Sequence, residues 1–194
     1  MLRWGALAYA LLGAVSYGLA LLFHGHDPME RPDALLGLPP REAHVYSAVT
    51  GVAFGAAVVL LTRASVSRYR WARSLHAALR PVARSLSTSA ILALAALSAF
   101  GEELLFRGLL QPSLGLLPQA VLFGLAHQLP GPSRWVWATW AALVGGVLGL
   151  LYAATGSLVG PLLAHALVNA LNLSYLKAHD PGPRAELGGL LRQP

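Results

Sequence analysis

The 194-residue sequence contains no cysteine and few charged residues. The absence of cysteine excludes disulfide bonds, a thiol nucleophile and thiolate metal sites, which leaves histidine, glutamate and asparagine for site chemistry. Only 11% of the residues are charged and 56% are hydrophobic, a composition that is wrong for a soluble globular protein. The sequence therefore predicts an all-α integral membrane protein, with residues 1–194 forming a single polytopic domain.

Acidic residues are also scarce, at eight against fourteen lysines and arginines, and the net charge is +6. A basic chain can bind nucleic acid, but here the basic residues lie beside apolar runs, where they set membrane topology and contact anionic lipid. We therefore expect the lipid bilayer, and no nucleic acid, as a partner. Residues 62–84 contain six arginines and no acidic residue, interleaved with apolar side chains. This pattern predicts an interfacial basic amphipathic segment that ends at Pro81.

Apolar runs predict a bundle of about six transmembrane helices. The expected spans cover residues 2–23, 45–61, 86–110, 114–128, 135–154 and 157–175. The first run is too long for a signal-peptide core, so we expect it to be retained. A break is expected at residues 111–113 because of Pro112. In this topology most lysines and arginines fall on one side, so the positive-inside rule predicts that both termini are cytoplasmic.

Two adjacent carboxylates, Glu102 and Glu103, lie inside the third apolar run together with Arg107. An ionised side chain at such a position costs several kcal/mol unless it has a partner or a function. On a helix, Glu103 and Arg107 stand at i and i+4 and can pair, whereas Glu102 points about 100° away. Desolvation increases the proton affinity of a free carboxylate, which suits a general base acting on water. For Glu103 the simpler interpretation is a buried structural ion pair.

Two later apolar runs each contain a histidine that is paired with another residue four positions away. His127 follows Phe123, and His165 precedes Asn169 on the same helix face. A lone histidine in a membrane helix usually forms a hydrogen bond to another helix. Here, however, two histidines and Glu102 lie on three segments, each about 12 to 14 Å from the extracytoplasmic end of its span. We therefore expect these three side chains to converge on one plane.

The order and spacing of three motifs resemble the CPBP intramembrane proteases, the family that includes CAAX prenyl endopeptidases and bacteriocin-processing or self-immunity proteins. The motifs are Glu-Glu-x-x-x-Arg at 102–107, Phe-x-x-x-His at 123–127 and His-x-x-x-Asn at 165–169. The resemblance covers a core of about residues 86–175. It implies an endopeptidase that cuts a peptide bond near the C-terminal or membrane-anchored segment of a protein substrate.

The resemblance also assigns roles to the residues of these motifs. Glu102 is implied to activate water with the assistance of His127, and His165 and Asn169 to stabilise the oxyanion of the tetrahedral intermediate. The implied supporting residues are Glu103, Arg107 and Phe123. The mechanism stays open, because Glu102, His127 and His165 can instead form a His₂Glu site for Zn²⁺ or another divalent metal. Of the two mechanisms, the glutamate route is slightly favoured.

The substrate and the function class also have alternatives. A CAAX-type enzyme cuts a prenylated C terminus from the cytosolic side, whereas the charge distribution puts this site toward the outside. That difference favours an exported or membrane-anchored substrate, as in the myxosortase-like branch of the family, and the cytoplasmic (inner) membrane of a bacterium. One alternative is a non-catalytic membrane scaffold or immunity protein of the same fold. Another is a proton or ion pathway lined by the same groups.

Overall fold

The computed structural model of the chain describes residues 2–128, 133–180 and 182, and most of these residues are helical. In chain order the helices are α1 (Leu2–His24), α2 (Pro40–Arg68), α3 (Arg70–Arg84), α4 (Thr88–Glu103), a π-helical segment (Leu104–Leu110), α5 (Gln111–Leu114), α6 (Leu116–Ala126), α7 (Arg134–Thr155) and α8 (Val159–Ala178). Within the described ranges the β-type pairing is limited to an isolated bridge between Glu30 and Ser157. The prediction of an all-α fold is confirmed.

Five helical stretches of the described residues are long and apolar enough to cross a membrane. They are α1, α2, the continuous run 88–114, α7 and α8. The remaining predicted span, 114–128, contains α6, an apolar helix of only 11 residues. Its length is about 16 Å, roughly half of the hydrocarbon core of a bilayer. The chain is thus an integral membrane bundle with five full-length helices and one short apolar helix.

Neither Pro81 nor Pro112 ends a helix, so the sequence prediction is wrong at both positions. The third span continues through Pro112 to Leu114 and ends at Gly115, whose φ of 87° favours glycine. Pro112 lies two residues after the end of the π-helical segment, whose wider turns accommodate a residue without a backbone N–H. Pro81 lies inside α3 on an exposed face, where solvent or lipid headgroups can satisfy the carbonyl that loses its partner.

The predicted basic segment 62–84 is divided between two helices. α2 continues to Arg68, and the extended backbone of Tyr69 then separates it from α3. α3 packs on α2 and α8 and buries a short apolar face with one histidine, formed by Ala72, Leu75, His76 and Ala83. The arginines at its two ends, Arg70 and Arg84, remain exposed.

Small residues allow α8 to pack closely on α2. Gly51 and Gly55 of α2 lie against the backbone of Gly160 and Ala164 in α8, with no room for larger side chains. The Ser47 hydroxyl accepts a hydrogen bond of 3.0 Å from the Gly160 N–H, which fixes the start of α8. The other face of α8 packs on α4, and α6 packs on α7 and on the π-helical segment. The three motif-bearing segments consequently face one another.

Candidate active site

The ion pair between Glu103 and Arg107 is completely buried. Arg107 Nη1 donates to Glu103 Oε1 at 2.9 Å, and neither side chain is exposed to solvent. Arg107 Nη2 donates to the Gly145 carbonyl of α7 at 2.8 Å, and the guanidinium lies 4.4 Å from the centre of the Phe123 ring. A carboxylate, a carbonyl and an aromatic face therefore surround the buried charge, and the pair connects α4 with α6 and α7.

Glu103 has a second partner that the sequence analysis missed. His165 Nδ1 lies 2.7 Å from Glu103 Oε1, so this carboxylate also connects α4 to α8. The helical spacing revealed the pairing with Arg107 because both residues lie on one helix. The contact with His165 depends on how α4 and α8 are aligned, and no local signal in the sequence gives that alignment.

Glu102 faces both motif histidines. Its Oε2 atom lies 3.4 Å from His127 Nε2 and 3.8 Å from His165 Nε2, and the residue is only 9% exposed. Oε2 is buried, and among the described residues it has no hydrogen-bond partner. The structure thus brings together the three side chains that the sequence analysis expected to converge.

The Nδ1 nitrogen of each motif histidine, on the opposite side of the ring from Glu102, has a hydrogen-bond acceptor as its partner. His127 Nδ1 lies 2.8 Å from the Phe123 carbonyl, and since a carbonyl can only accept, Nδ1 carries the proton. His165 Nδ1 donates in the same way to Glu103 Oε1. In a neutral ring the lone pair is then on Nε2, and both Nε2 atoms face Glu102 Oε2. Three acceptor atoms converge, and a molecule that donates two hydrogen bonds, such as water, can bridge two of them.

The short length of α6 places His127 inside the bundle. The helix ends at Ala126, and His127 follows as its C-terminal flanking residue with φ −96° and ψ 28°. The Phe123 ring packs against His127 with a centroid distance of 4.4 Å and meets His165 edge-on at 5.7 Å. Phe123 therefore packs against both imidazoles and the Arg107 guanidinium, which restricts the orientation of all three.

Asn169 is held by Ser98, another residue that the sequence analysis missed. Asn169 Nδ2 donates to the Ser98 hydroxyl at 3.0 Å, and this hydroxyl donates to the Ala95 carbonyl at 3.4 Å. An amide nitrogen has two N–H groups, so one of them stays available for another acceptor. Ser98 lies one helical turn before Glu102 in an apolar run, and this spacing could have indicated that Ser98 belongs to the site.

A metal held by Glu102, His127 and His165 stays a prediction. Glutamate and two histidines are a common zinc donor set, and both Nδ1 atoms are held as they are in metal-binding histidines. However, in the part of the chain that the structure describes, no group of three His, Asp or Glu side chains is arranged to hold an ion.

The fold and the site define a polytopic membrane protein with a buried glutamate and two histidines at the contact of three helical segments. Residues 84–171, which contain all three motifs, match the family described as type II CAAX prenyl endopeptidase Rce1-like. The match covers this part of the chain, and it confirms the resemblance seen in the motifs.

One curated relative is the uncharacterized protein YpbD of Bacillus subtilis, which is 37% identical over 81 residues. That match spans 42% of this chain and 42% of the relative. No solved structure matches the chain.

Proposed function

We propose that this protein is an intramembrane endopeptidase that hydrolyses a peptide bond near the C-terminal or membrane-anchored segment of a protein substrate. The match of residues 84–171 to a CAAX-type protease family supports proteolysis as the reaction class. The observation that carries the assignment to this site is the convergence of the two Nε2 atoms, from His127 and His165, on the unpaired Oε2 of Glu102.

The catalytic water lies between Glu102 and His127 in this proposal. It donates one hydrogen bond to Glu102 Oε2 and the other to His127 Nε2, so that both acceptors increase the nucleophilicity of its oxygen. Attack on the scissile carbonyl transfers the water proton to Glu102 and forms a tetrahedral oxyanion. Glu102 then returns this proton to the leaving amine.

His165 and Asn169 stabilise the oxyanion. Glu103 accepts from His165 Nδ1, which keeps the ring oriented, and Nε2 can donate to the oxyanion when the ring carries a second proton. Ser98 holds one N–H of Asn169 and leaves the other free for the same oxygen. These steps use only side chains of this chain, and a metal bound by Glu102, His127 and His165 stays the alternative.

We also propose a location and a substrate class. The arginines of α3 and the excess of basic residues on the same side favour cytoplasmic termini in the inner membrane of a bacterium. The site then faces the extracytoplasmic half, and an exported or membrane-anchored protein, as in the myxosortase-like branch of the family, is the preferred substrate.

The test compares the wild type with Glu102→Gln in nanodiscs, using solubilised bacterial membrane proteins as an unselected substrate pool. New N-termini are counted by mass spectrometry, with and without a chelator. We expect new termini from the wild type and none from Glu102→Gln. The matched control, Glu42→Gln, removes an exposed carboxylate in the first turn of α2 and should cleave like the wild type.

Two results would change the proposal. If the folded wild type and Glu102→Gln give the same termini, the protease function is wrong and a scaffold or immunity protein of this fold is favoured. If the chelator abolishes cleavage by the wild type and added Zn²⁺ restores it, the metal mechanism replaces the glutamate mechanism. Ion flux into sealed vesicles tests the transport alternative. If vesicles that contain the wild type take up no more ions than empty vesicles, a transport pathway is excluded.

A further inference from the structure

α1 packs directly against the part of α4 that contains the two glutamates, although α1 lies outside the residues matched to the family. A Cβ atom on Gly101 would lie 2.7 Å from the Tyr9 carbonyl oxygen and 3.5 Å from Cδ1 of the Tyr9 ring. A Cβ on Gly13 would meet the Phe100 ring at 2.7 Å. The two helices are therefore in close contact one residue before Glu102.

This packing brings Tyr9 to the neighbourhood of the candidate general base. The half-buried Tyr9 ring lies beside Gly101, the residue before Glu102, and the Glu102 carboxylate acts on its hydroxyl. The hydroxyl can donate a hydrogen bond, whereas the carboxylate, when ionised, can only accept. The Nε2 atoms of His127 and His165 face Oε2 of the same carboxylate. Tyr9 can thus supply a hydrogen-bond donor to Glu102. The Nε2 atoms of His127 and His165 can only accept when their rings are neutral.

A buried carboxylate needs such a donor if it is to act as a base. Desolvation disfavours its charged form, and a hydrogen bond to an ionised oxygen favours that form. The donor also restricts rotation of the carboxylate, and the orientation of a general base relative to its water is a large part of its effectiveness.

We propose that Tyr9 is a positioning residue for the glutamate, with its hydroxyl donating to the Glu102 carboxylate and holding Oε2 toward His127 and His165. This inference rests on the proposed protease function, because the role of Tyr9 is to orient the base of that reaction. It extends the site to α1, so that the matched core is incomplete without the N-terminal helix.

The first experiment detects the contact without a substrate. The protein contains six tyrosines, and with ¹³C at tyrosine Cζ their NMR signals can be followed in nanodiscs. The Tyr9 signal is identified by its loss in Tyr9→Phe. We expect it to move in Glu102→Gln, in which the charged acceptor is lost. Tyr17, two turns further along α1 and packed on the apolar cluster of Leu104, Tyr152 and Leu158, should keep its position.

The second experiment measures cleavage of a substrate identified from the membrane-protein pool. Tyr9→Phe removes only the hydroxyl, and we expect kcat to fall about tenfold or more, as for the loss of a hydrogen bond to a charged group. KM and the unfolding temperature should stay close to those of the wild type. Tyr17→Phe is the matched control on the same helix, and its kcat should equal that of the wild type.

The outcomes separate this inference from the proposed function. An unchanged Tyr9 signal in Glu102→Gln, or a wild-type kcat in Tyr9→Phe, overturns the role of Tyr9 and leaves the protease function intact. If the wild type cleaves nothing while the Tyr9 signal still moves, the protease function fails, and the catalytic role of Tyr9 fails with it.

Discussion

Replacing Glu103 by leucine should destabilise the protein strongly, because it leaves the charge of Arg107 buried without a counter-ion. Both side chains are fully buried, and the guanidinium keeps only a carbonyl and an aromatic ring as partners. Breaking a buried pair from one side costs about 3 to 5 kcal/mol, which is roughly two to four orders of magnitude in the ratio of folded to unfolded protein.

Removing both charges should recover much of this loss. In Glu103→Leu/Arg107→Met no uncompensated charge remains, and hydrophobic replacement of a buried pair is often neutral or stabilising. The recovery should be incomplete, because His165 Nδ1 loses its acceptor at a cost of about 1 to 3 kcal/mol. Cleavage should stay absent in the double variant, since Glu103 no longer orients His165.

The assay is equilibrium unfolding in mixed detergent micelles, followed by helical circular dichroism. An exposed pair provides the matched control: Arg31 and Asp33 are 2.8 Å apart, with 71% of the Asp33 side chain exposed. Asp33→Asn should cost less than about 1 kcal/mol. The reasoning is refuted if Glu103→Leu is as stable as Asp33→Asn, or if the double variant is no more stable than Glu103→Leu alone.

Two further predictions concern how α8 is held. Gly160→Ala should destabilise the protein by about 1 to 3 kcal/mol, because its Cβ would overlap Ser47 of α2. The control is Gly18→Ala, whose Cβ has open space, and the assay is thermal unfolding. Equal melting temperatures of the two variants would contradict the close packing of α8 on α2. Burial lowers the pKa of His76, which docks α3 on α8 by donating to the His179 carbonyl. The neutral ring therefore stabilises the fold above its ordinary pKa of 6.5, and this stability is lost as the pH falls through the lowered value. Thermal unfolding at a series of pH values should show this acid loss in the wild type and less of it in His76→Gln, and parallel curves would exclude it.

The helical segments were only partly predictable, because their ends depend on neighbouring structure. The apolar runs located the long helices, since the length and hydropathy of a span are local properties. The short length of α6 could not be predicted, because the apolar run that contains it has the length of an ordinary span. Hydropathy does not distinguish an apolar residue in a helix from one in the loop that follows. Pro112 looked like a break, and only the π-helical segment before it explains why the helix continues.

The amino-acid sequence was enough to predict the class of the protein and the residues of the candidate site. With 56% hydrophobic and 11% charged residues the composition predicted a membrane helical bundle, and helical spacing alone paired Glu103 with Arg107. Three features depend on the tertiary structure: the contact of Glu103 with His165, the hydrogen bond between Ser98 and Asn169, and the packing of Tyr9 at Gly101. These contacts join separate helices, and their alignment is set by close packing at glycines such as Gly101 and Gly160, which no local sequence pattern specifies.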